Sequence, residues 1–341
     1  MLKHLALSAA AYPQKIDLTQ QLILLVEQHE AAYKAASFLD DRILRPGTKG
    51  AWTSIASIDA ASRSARSQFP LHFIFHTGHV GSTLLSRVID ETAHSLPVRE
   101  PLPLRTLAEA QDALGAPNSV LSAVQLDALL TLFVRLWTRG FDSTRAVVLK
   151  ATSATARLAP RLLGISTNSR AIYLNVRAEP YLATLLAGSN SMTDLKGHGP
   201  ERIQRLAKQL NIPLVPLASL SPGELTAMSW LAESLTQHEV LAAFPDRVLG
   251  VDFDTFLTNA AVGLQKVLEH LRLDHDEHAV RSIAHSSVMA RYSKAPEHDY
   301  TPAIRAELLQ ESRSMNSEEI RRGMMWLEHL GRRHPRVAHL L

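Results

Sequence analysis

The sequence contains no cysteine, and this absence removes several kinds of chemistry at once. A chain of 341 residues without a thiol has no disulfide framework, no zinc–thiolate centre and no cysteine nucleophile. Its composition is 46% hydrophobic, with a mean hydropathy of -0.03. These values predict a globular chain that buries a substantial core, and the lack of cysteine fits a reducing, cytoplasmic location.

Long apolar runs and dense clusters of basic residues are also absent. The apolar stretch at residues 5–12 is too short and interrupted to span a membrane, and it runs directly into Pro13. The formal net charge of +3 suits an acidic ligand in a local pocket better than a nucleic-acid track. We therefore expect neither a membrane nor a nucleic acid as partner.

Four short apolar runs, each followed by a helical pattern, organise the middle of the chain: residues 71–75, 146–149, 171–176 and 248–251. A fifth, very short strand is predicted at residues 98–100. This alternation indicates a parallel sheet covered by helices on both faces. The expected fold class is α/β, a three-layer α/β/α sandwich with a central parallel sheet and helical additions at the N- and C-terminal ends.

The first seventy residues are predicted to be a helical extension packed on this core. Leu18, Leu22, Leu25 and Tyr33 recur at helical spacing after Asp17, which is a predicted helix cap. The sequence shows no internal repeat or low-complexity tract, so one structural domain is expected. Its parts are the extension, the core and a C-terminal helical cap, at residues 1–70, 71–260 and 261–341.

The junction after the first core strand is the most informative segment of the sequence. Residues 73–87 read Phe-Ile-Phe-His-Thr-Gly-His-Val-Gly-Ser-Thr-Leu-Leu-Ser-Arg, a buried strand followed by a tight glycine loop and a helix start. Gly78 and Gly81 permit unusual backbone geometry, and Ser82 and Thr83 place hydroxyls beside the unpaired N–H groups of the new helix. The pattern predicts a P-loop that binds phosphate. It lacks the Gly-Lys-Ser/Thr ending of the common nucleotide-binding loop, because Ser82 stands in the position of the lysine.

Four motifs in chain order resemble those of the P-loop sulfotransferases, closest to the subgroup with a glutamate base, such as tyrosylprotein and bacterial sulfotransferases. They are Thr-Gly-His-Val-Gly-Ser-Thr at 77–83, Arg-Glu-Pro at 99–101, Val-Val-Leu-Lys at 147–150 and Ile-Tyr-Leu-Asn-Val-Arg at 172–177. The resemblance spans residues 71–258. It implies a transferase that uses 3′-phosphoadenosine 5′-phosphosulfate (PAPS) as co-substrate and requires no metal. The implied 5′-phosphosulfate ligands are Thr77, Gly78, His79, Val80, Gly81, Ser82 and Thr83.

The resemblance also implies catalytic roles for three residues. Glu100 matches the glutamate that accepts the proton of the attacking hydroxyl, and Lys150 matches a strand-end lysine that contacts the transferring sulfuryl group. His79 stands where the family usually has Lys or Arg, and a protonated histidine supplies the same charge. The alternative for Glu100 is a structural ion pair with Arg99, Arg105 or Lys150.

The implied site for the 3′-phosphate consists of a strand-end arginine and a later hydroxyl. Arg177 follows the strand at residues 171–176, and a guanidinium at that point holds phosphate through two hydrogen bonds. The family serine would fall at Leu185, so Thr184 and Ser189 are the candidate hydroxyls.

Two other functions remain open from the residues alone. An ATP-dependent phosphotransferase would use Thr83 as a magnesium ligand and Asp252 as a nearby carboxylate, and a non-catalytic nucleotide-binding protein would keep the fold without the chemistry. Metal binding is not predicted, because the histidines follow no His-Glu-x-x-His pattern. The expected partner is a small-molecule or peptide acceptor, whose identity the residues leave open, as they do the oligomeric state.

Overall fold

The computed structural model describes residue 5 and residues 8–63, 68–188, 190–295 and 297–341. The strands in these ranges are β1 (Ala11–Asp17), β2 (Leu22–Glu27), β3 (Gly50–Ser54), β4 (Leu71–His76), β5 (Ser95–Arg99), β6 (Ala146–Lys150), β7 (Ala171–Asn175) and β8 (Val248–Asp252). The helices are α1 (Glu30–Ala35), α2 (Ile55–Arg63), α3 (Ser82–Thr92), α4 (Leu102–Asp112), α5 (Ala123–Trp137), α6 (Ala159–Ile165), α7 (Ala178–Ala187), α8 (Ser191–Leu210), α9 (Pro222–Ala243), α10 (Phe253–Thr258), α11 (Ala260–Leu271), α12 (Glu277–Ser282), α13 (Pro302–Met315), α14 (Ser317–Gly331) and α15 (Pro335–Ala338).

A five-stranded parallel sheet in the order β5-β6-β4-β7-β8 forms the centre of the molecule. After β4 the chain moves to one side of the sheet, and after β6 it crosses to the other. The carboxyl end of β4 is therefore the point where the strand order reverses, and in open parallel sheets ligands bind in the crevice outside such a point.

Alternate residues of β4 contribute to two separate hydrophobic layers. Phe73 and Phe75 belong to a cluster on one face, and Ile74 belongs to a cluster on the other. Because successive side chains of a strand point to opposite faces, both faces of β4 are buried. The predicted three-layer α/β/α fold with a central parallel sheet is confirmed.

The N-terminal extension differs from the helical prediction. Strands β1, β2 and β3 form an antiparallel sheet, and the predicted helix shrinks to the six residues of α1. The Asp17 carboxylate accepts hydrogen bonds from the backbone N–H groups of Thr19 and Gln20, so it forms the hairpin turn rather than a helix cap. Within β2, Ile23 and Leu25 are buried while Leu24 is half-buried, and this alternation suits a strand with one face on the core.

The extension packs against the core on the β1 side. Tyr12 and Ile23 lie in the same hydrophobic cluster as Phe73 and Phe75 of β4.

At the opposite end of the chain, α14 packs closely on α9, because Gly223 and Gly323 let the two backbones approach. Among the described residues, no helix combines the length and apolarity needed to cross a membrane.

Candidate functional site

The loop between β4 and α3 follows a backbone path that requires its glycines. Gly78 and Gly81 adopt positive φ angles of 98° and 70°, and His79 does so at 53°. A Cβ atom at Gly81 would overlap the ring of Phe253, which packs directly on the loop. The loop therefore depends on Gly81 for both backbone conformation and space. Strained conformations of this kind are common at ligand sites.

His76, the last residue of β4, fixes the start of the loop. Its Nδ1 accepts a hydrogen bond of 3.1 Å from the Gly78 N–H, and its Nε2 lies 2.9 Å from the carbonyl oxygen of Ala151. An acceptor Nδ1 and a donor Nε2–H define a neutral imidazole. Burial lowers the pKa of His76 well below its usual value, and the positive charges of Lys150 and Lys294 act in the same direction. The sequence predicted no role for this histidine.

The start of α3 is equipped to bind an anion. Gly81 occupies the N-cap position and cannot cap the helix with a side chain, so the N–H groups of the first turn are available to a ligand. The hydroxyls of Thr77 and Thr83 are buried and have no hydrogen-bond partner among the described residues. Buried hydroxyls normally find a partner. Thr83 lines the cleft at this helix start, so its hydroxyl fits an oxygen atom of a bound phosphate group, whereas Thr77 and Gly78 are not among the described residues that line the cleft and their role stays a prediction.

Glu100 directly follows β5, Lys150 ends the neighbouring strand β6, and the two residues contact each other. The Glu100 N–H donates a 2.7 Å hydrogen bond to the Lys150 carbonyl, and the Lys150 ammonium binds the Glu100 carboxylate. Arg105 lies 3.7 Å from the other carboxylate oxygen. Burial lowers the pKa of Lys150, and the adjacent Glu100 carboxylate opposes that effect. Glu100 also has a positive φ of 53°, and it lines the cleft at the loop.

His79 lies at the exposed side of the loop. Its Nε2 is 3.9 Å from the Asp194 carboxylate of α8, and the imidazole is about one-third exposed. The neighbouring His79 imidazole, together with His198 and Arg202, lowers the pKa of Asp194 to about 2. Val80, the next residue, is fully buried, so of these two loop side chains only His79 is reachable by a ligand.

One cleft connects most of the predicted residues. His79, Val80, Gly81, Ser82, Thr83, Glu100, Lys150 and Thr184 all line it. A C-terminal segment adds three cations to the lining of the cleft: Arg291, Lys294 and Arg305. Arg291 pairs with Asp299 at 2.9 Å and Arg305 with Asp254 at 2.7 Å, whereas Lys294 has no carboxylate within 4.0 Å in the part of the chain that is described.

Of the residues predicted to bind the 3′-phosphate, which are Arg177, Thr184 and Ser189, the structure places only Thr184 in the cleft among those it describes. Arg177 is exposed at the N-cap of α7, and it is not one of the described residues that line the cleft. Thr184 does line the cleft, where its hydroxyl donates to the Pro180 carbonyl at 2.7 Å. Ser189 lies outside the described residues. The role of these three residues stays a prediction.

A buried arginine, Arg99, holds one wall of the site in a way that the sequence reasoning did not predict. Arg99 does not pair with Glu100: its guanidinium donates to the carbonyl groups of Tyr33, Lys34 and Ala36 in the N-terminal extension and approaches Asp90 at 3.5 Å. The only available signal was the position of Arg99 in a buried strand, where a guanidinium needs several acceptors.

Asp252, the carboxylate considered for a magnesium-dependent reaction, has a structural task. Its side chain accepts a 2.8 Å hydrogen bond from the Thr255 N–H and caps α10. It is not among the described residues that line the cleft. In the described part of the chain, no group of three or more acidic or histidine side chains is placed to hold a metal ion.

Several sulfotransferases are among the solved structures that match this chain. The sulfotransferase domain from the curacin biosynthetic pathway is 16% identical, with a TM-score of 0.42 over 74% of this chain and 99% of that one. The sulfotransferase domain of the Synechococcus PCC 7002 olefin synthase is 16% identical, with a TM-score of 0.39 over 73% and 88%. Mouse sulfotransferase SULT7A1 complexed with PAP is 13% identical, with a TM-score of 0.39 over 84% and 91%. A scan against protein-family models returns no match, and a search of curated proteins returns none either.

Proposed function

We propose that the protein transfers a sulfuryl group from PAPS to a hydroxyl or amine of an acceptor. The observation that carries the proposal is the pairing of a carboxylate, Glu100, with a buried ammonium, Lys150, in the cleft that begins at an uncapped helix N-terminus. A proton acceptor and a cation beside a phosphate-binding loop are the groups that sulfuryl transfer needs.

The loop supplies the donor site in this proposal. The first-turn N–H groups of α3 and the hydroxyls of Thr77 and Thr83 would bind the 5′-phosphosulfate, and the fit rests on those two buried hydroxyls having no partner among the described residues. PAPS supplies an activated sulfuryl group whose leaving group is a phosphate oxygen. The 3′-phosphate would bind Arg177, with Thr184 and Ser189 as candidate hydroxyls.

Glu100 would act on the acceptor. As the acceptor oxygen forms its bond to sulfur, the bond from sulfur to the bridging phosphate oxygen breaks, and the acceptor proton passes to the Glu100 carboxylate. The electron pair of the broken bond stays on the phosphate oxygen. In this proposal Lys150, and His79 in its protonated form, would stabilise that negative charge, because both side chains line the cleft beside the loop. Positioning and electrostatics carry such a reaction.

The ion pair between Glu100 and Lys150 is compatible with this role. Each group holds the other in place, and an unpaired charge on the buried Lys150 would be costly. A sulfuryl oxygen near Lys150 would replace the carboxylate as its partner, and Glu100 would then be free to accept a proton.

The direct test is titration calorimetry of the purified protein with 3′-phosphoadenosine 5′-phosphate (PAP), without metal, beside ATP with magnesium. We expect metal-independent binding of PAP that weakens at least tenfold in Arg177→Ala, while Arg281→Ala, an exposed arginine on α12, leaves it unchanged. Binding of ATP–magnesium alone would instead support the phosphotransferase. Binding of neither nucleotide would contradict any donor site at this loop.

A further inference from the structure

A second cavity shares one lining residue, Lys294, with the donor cleft that contains Glu100 and Lys150. It has a volume of about 760 Å³ and is lined by the N-terminal extension, from Glu27 to Lys49, together with Lys294 from the C-terminal segment. We call it the extension groove. We propose that it is the acceptor site and that the acceptor is a hydroxylated compound bearing a carboxylate or phosphate group; this inference rests on the sulfuryl-transfer function proposed above.

The extension groove adjoins the reacting groups through two residues. Lys294 lines both the groove and the donor cleft. Phe38 lines the groove, and the centroid of its ring is 5.9 Å from the Lys150 ammonium. An acceptor in the groove therefore has a short route to the Glu100–Lys150 pair. A cavity of this size suits a small organic molecule.

The wall of the groove is fixed to the catalytic strand. The Leu39 N–H donates a 2.7 Å hydrogen bond to the Arg99 carbonyl, one residue before Glu100. The Arg99 guanidinium binds the carbonyl groups at the end of α1 and just after it. These contacts bracket Phe38 on both sides, so the groove and Glu100 keep a constant relative position.

Arg87 of α3 joins the two segments that border the groove. Its Nη2 donates to the Ser37 hydroxyl and its Nε to the Ser293 carbonyl, both at 2.8 Å. Ser37 precedes Phe38, and Ser293 precedes Lys294. The helix that begins at the donor loop thus also holds the groove together, so donor and acceptor would bind to one rigid unit.

The charge of the groove favours an anion. Arg45, Lys49 and Lys294 line it, and none of the three has a carboxylate within 4.0 Å among the described residues, whereas Arg42 is paired with Asp40. Glu27 is the acidic residue among the described lining. Cations that converge on a cavity without acidic partners attract a negatively charged ligand.

The test compares pairs of acceptors in which a carboxylate of one member is replaced by a neutral hydroxymethyl group in the other. The probes are 4-hydroxyphenylacetate against 2-(4-hydroxyphenyl)ethanol, glucuronate against glucose, and 3-hydroxybutyrate against 1,3-butanediol. Each is titrated into the free protein and into protein with PAP added, and transfer from PAPS is then measured. We expect at least one anionic probe to bind about tenfold or more tightly than its neutral partner, equivalent to roughly 1.4 kcal/mol.

A pair of charge-reversed variants locates the preference. The double variant Arg45→Glu/Lys49→Glu should abolish the preference for anionic probes without altering the affinity for PAP. Lys208→Glu/Lys266→Glu changes the net charge equally at exposed positions outside both cavities and should keep it. Equal affinity for anionic and neutral probes would overturn the inference, and so would a preference for the anionic probe that survives Arg45→Glu/Lys49→Glu. If PAP still binds in that case, the proposed function remains intact. Loss of PAP binding with a preserved preference would instead remove the proposed function and leave an anion-binding groove.

Discussion

The backbone N–H of Glu100 donates to the carbonyl oxygen of Lys150 at 2.7 Å, while the side chains of the same two residues form an ion pair. The main-chain bond extends the parallel ladder between β5 and β6 by one step beyond the pairing of Arg99 with Lys150. Glu100 then turns out of the strand with a φ of 53°. The carboxylate is thus held at the edge of the sheet by its own backbone as well as by its partner.

Replacement of Glu100 by glutamine should separate chemistry from binding. Glutamine fills the same volume but cannot accept the acceptor proton, so we expect the turnover number for sulfuryl transfer to fall by about 10²- to 10⁴-fold. PAP affinity should change little, because the loop and its hydroxyls remain. Steady-state kinetics with PAPS, together with PAP titration, measure both effects.

The matched control is Glu109→Gln on the exposed surface of α4, which should keep full activity. If Glu100→Gln retained normal turnover with a folded structure, Glu100 would have only the structural role of an ion-pair partner for Lys150.

Gly81 should be intolerant of even a methyl group. An alanine there meets both a positive φ and the ring of Phe253, so the loop or the ring must move. Gly115 has a similar φ of 82° but open space around it, which makes Gly115→Ala the control for backbone strain alone. We expect Gly115→Ala to lower the free energy of unfolding by about 1 kcal/mol without affecting PAP.

Gly81→Ala should lower stability further and weaken PAP binding strongly, because the displaced loop carries the phosphate ligands. Thermal unfolding and PAP titration of both variants make the comparison. Equal behaviour of the two variants would show that Phe253 does not restrict the loop.

The central sheet and the loop after β4 are the parts of the fold that the sequence predicted. The predicted apolar runs at residues 71–75, 146–149 and 171–176 correspond to β4, β6 and β7, which lie side by side in the parallel sheet. The parallel geometry brings the residues that follow these strands to one edge. The apolar runs alone therefore predicted the sheet, and the glycine loop predicted the helix start beside it. These features are local in the chain, so local patterns suffice to predict them.

Long-range contacts were beyond the reach of the same reasoning. The contacts of Arg99 with the carbonyl groups of residues 34 and 36, and the approach of Lys294 to the donor cleft, join segments far apart in the chain. No spacing rule encodes them. In the extension, the leucines of β2 fit a helical period as well as an alternating one. Pairing with β1 and packing of one face on the core stabilise the strand instead of the helix.

His76 should make the protein less stable in mild acid. Its imidazole is neutral in the folded state and its pKa lies well below the ordinary value of 6.5, so the unfolded chain binds more protons as the pH falls. The stabilising contribution is complete above about pH 6.5 and decreases below it. The slope for one such group is at most about 1.4 kcal/mol per pH unit. His72, whose pKa burial lowers to about 4, contributes in the same direction.

Denaturant unfolding at pH 7.5 and pH 5.0 measures this dependence. His76→Gln retains a neutral acceptor and donor, so part of the pH slope should disappear while the His72 part remains. His329→Gln changes an exposed histidine of α14 and serves as control. An unchanged slope in His76→Gln would mean that His76 is protonated in the folded protein.

Thr83 should show a conflict between stability and ligand binding. Its buried hydroxyl has no partner among the described residues, so Thr83→Val removes a desolvated polar group and should leave the free energy of unfolding unchanged or raise it by up to about 1 kcal/mol. The same change deletes a donor to the phosphate, which should weaken PAP binding by about 1.5–3 kcal/mol.

The control is Thr92, which lies on the same helix and whose buried hydroxyl donates to the Val88 carbonyl at 2.7 Å. Thr92→Val should therefore lose about 1 kcal/mol of stability and keep full PAP affinity. Denaturant unfolding and PAP titration of both variants check these opposite patterns, and a loss of stability in Thr83→Val equal to that in Thr92→Val would show that the Thr83 hydroxyl serves the fold rather than a ligand.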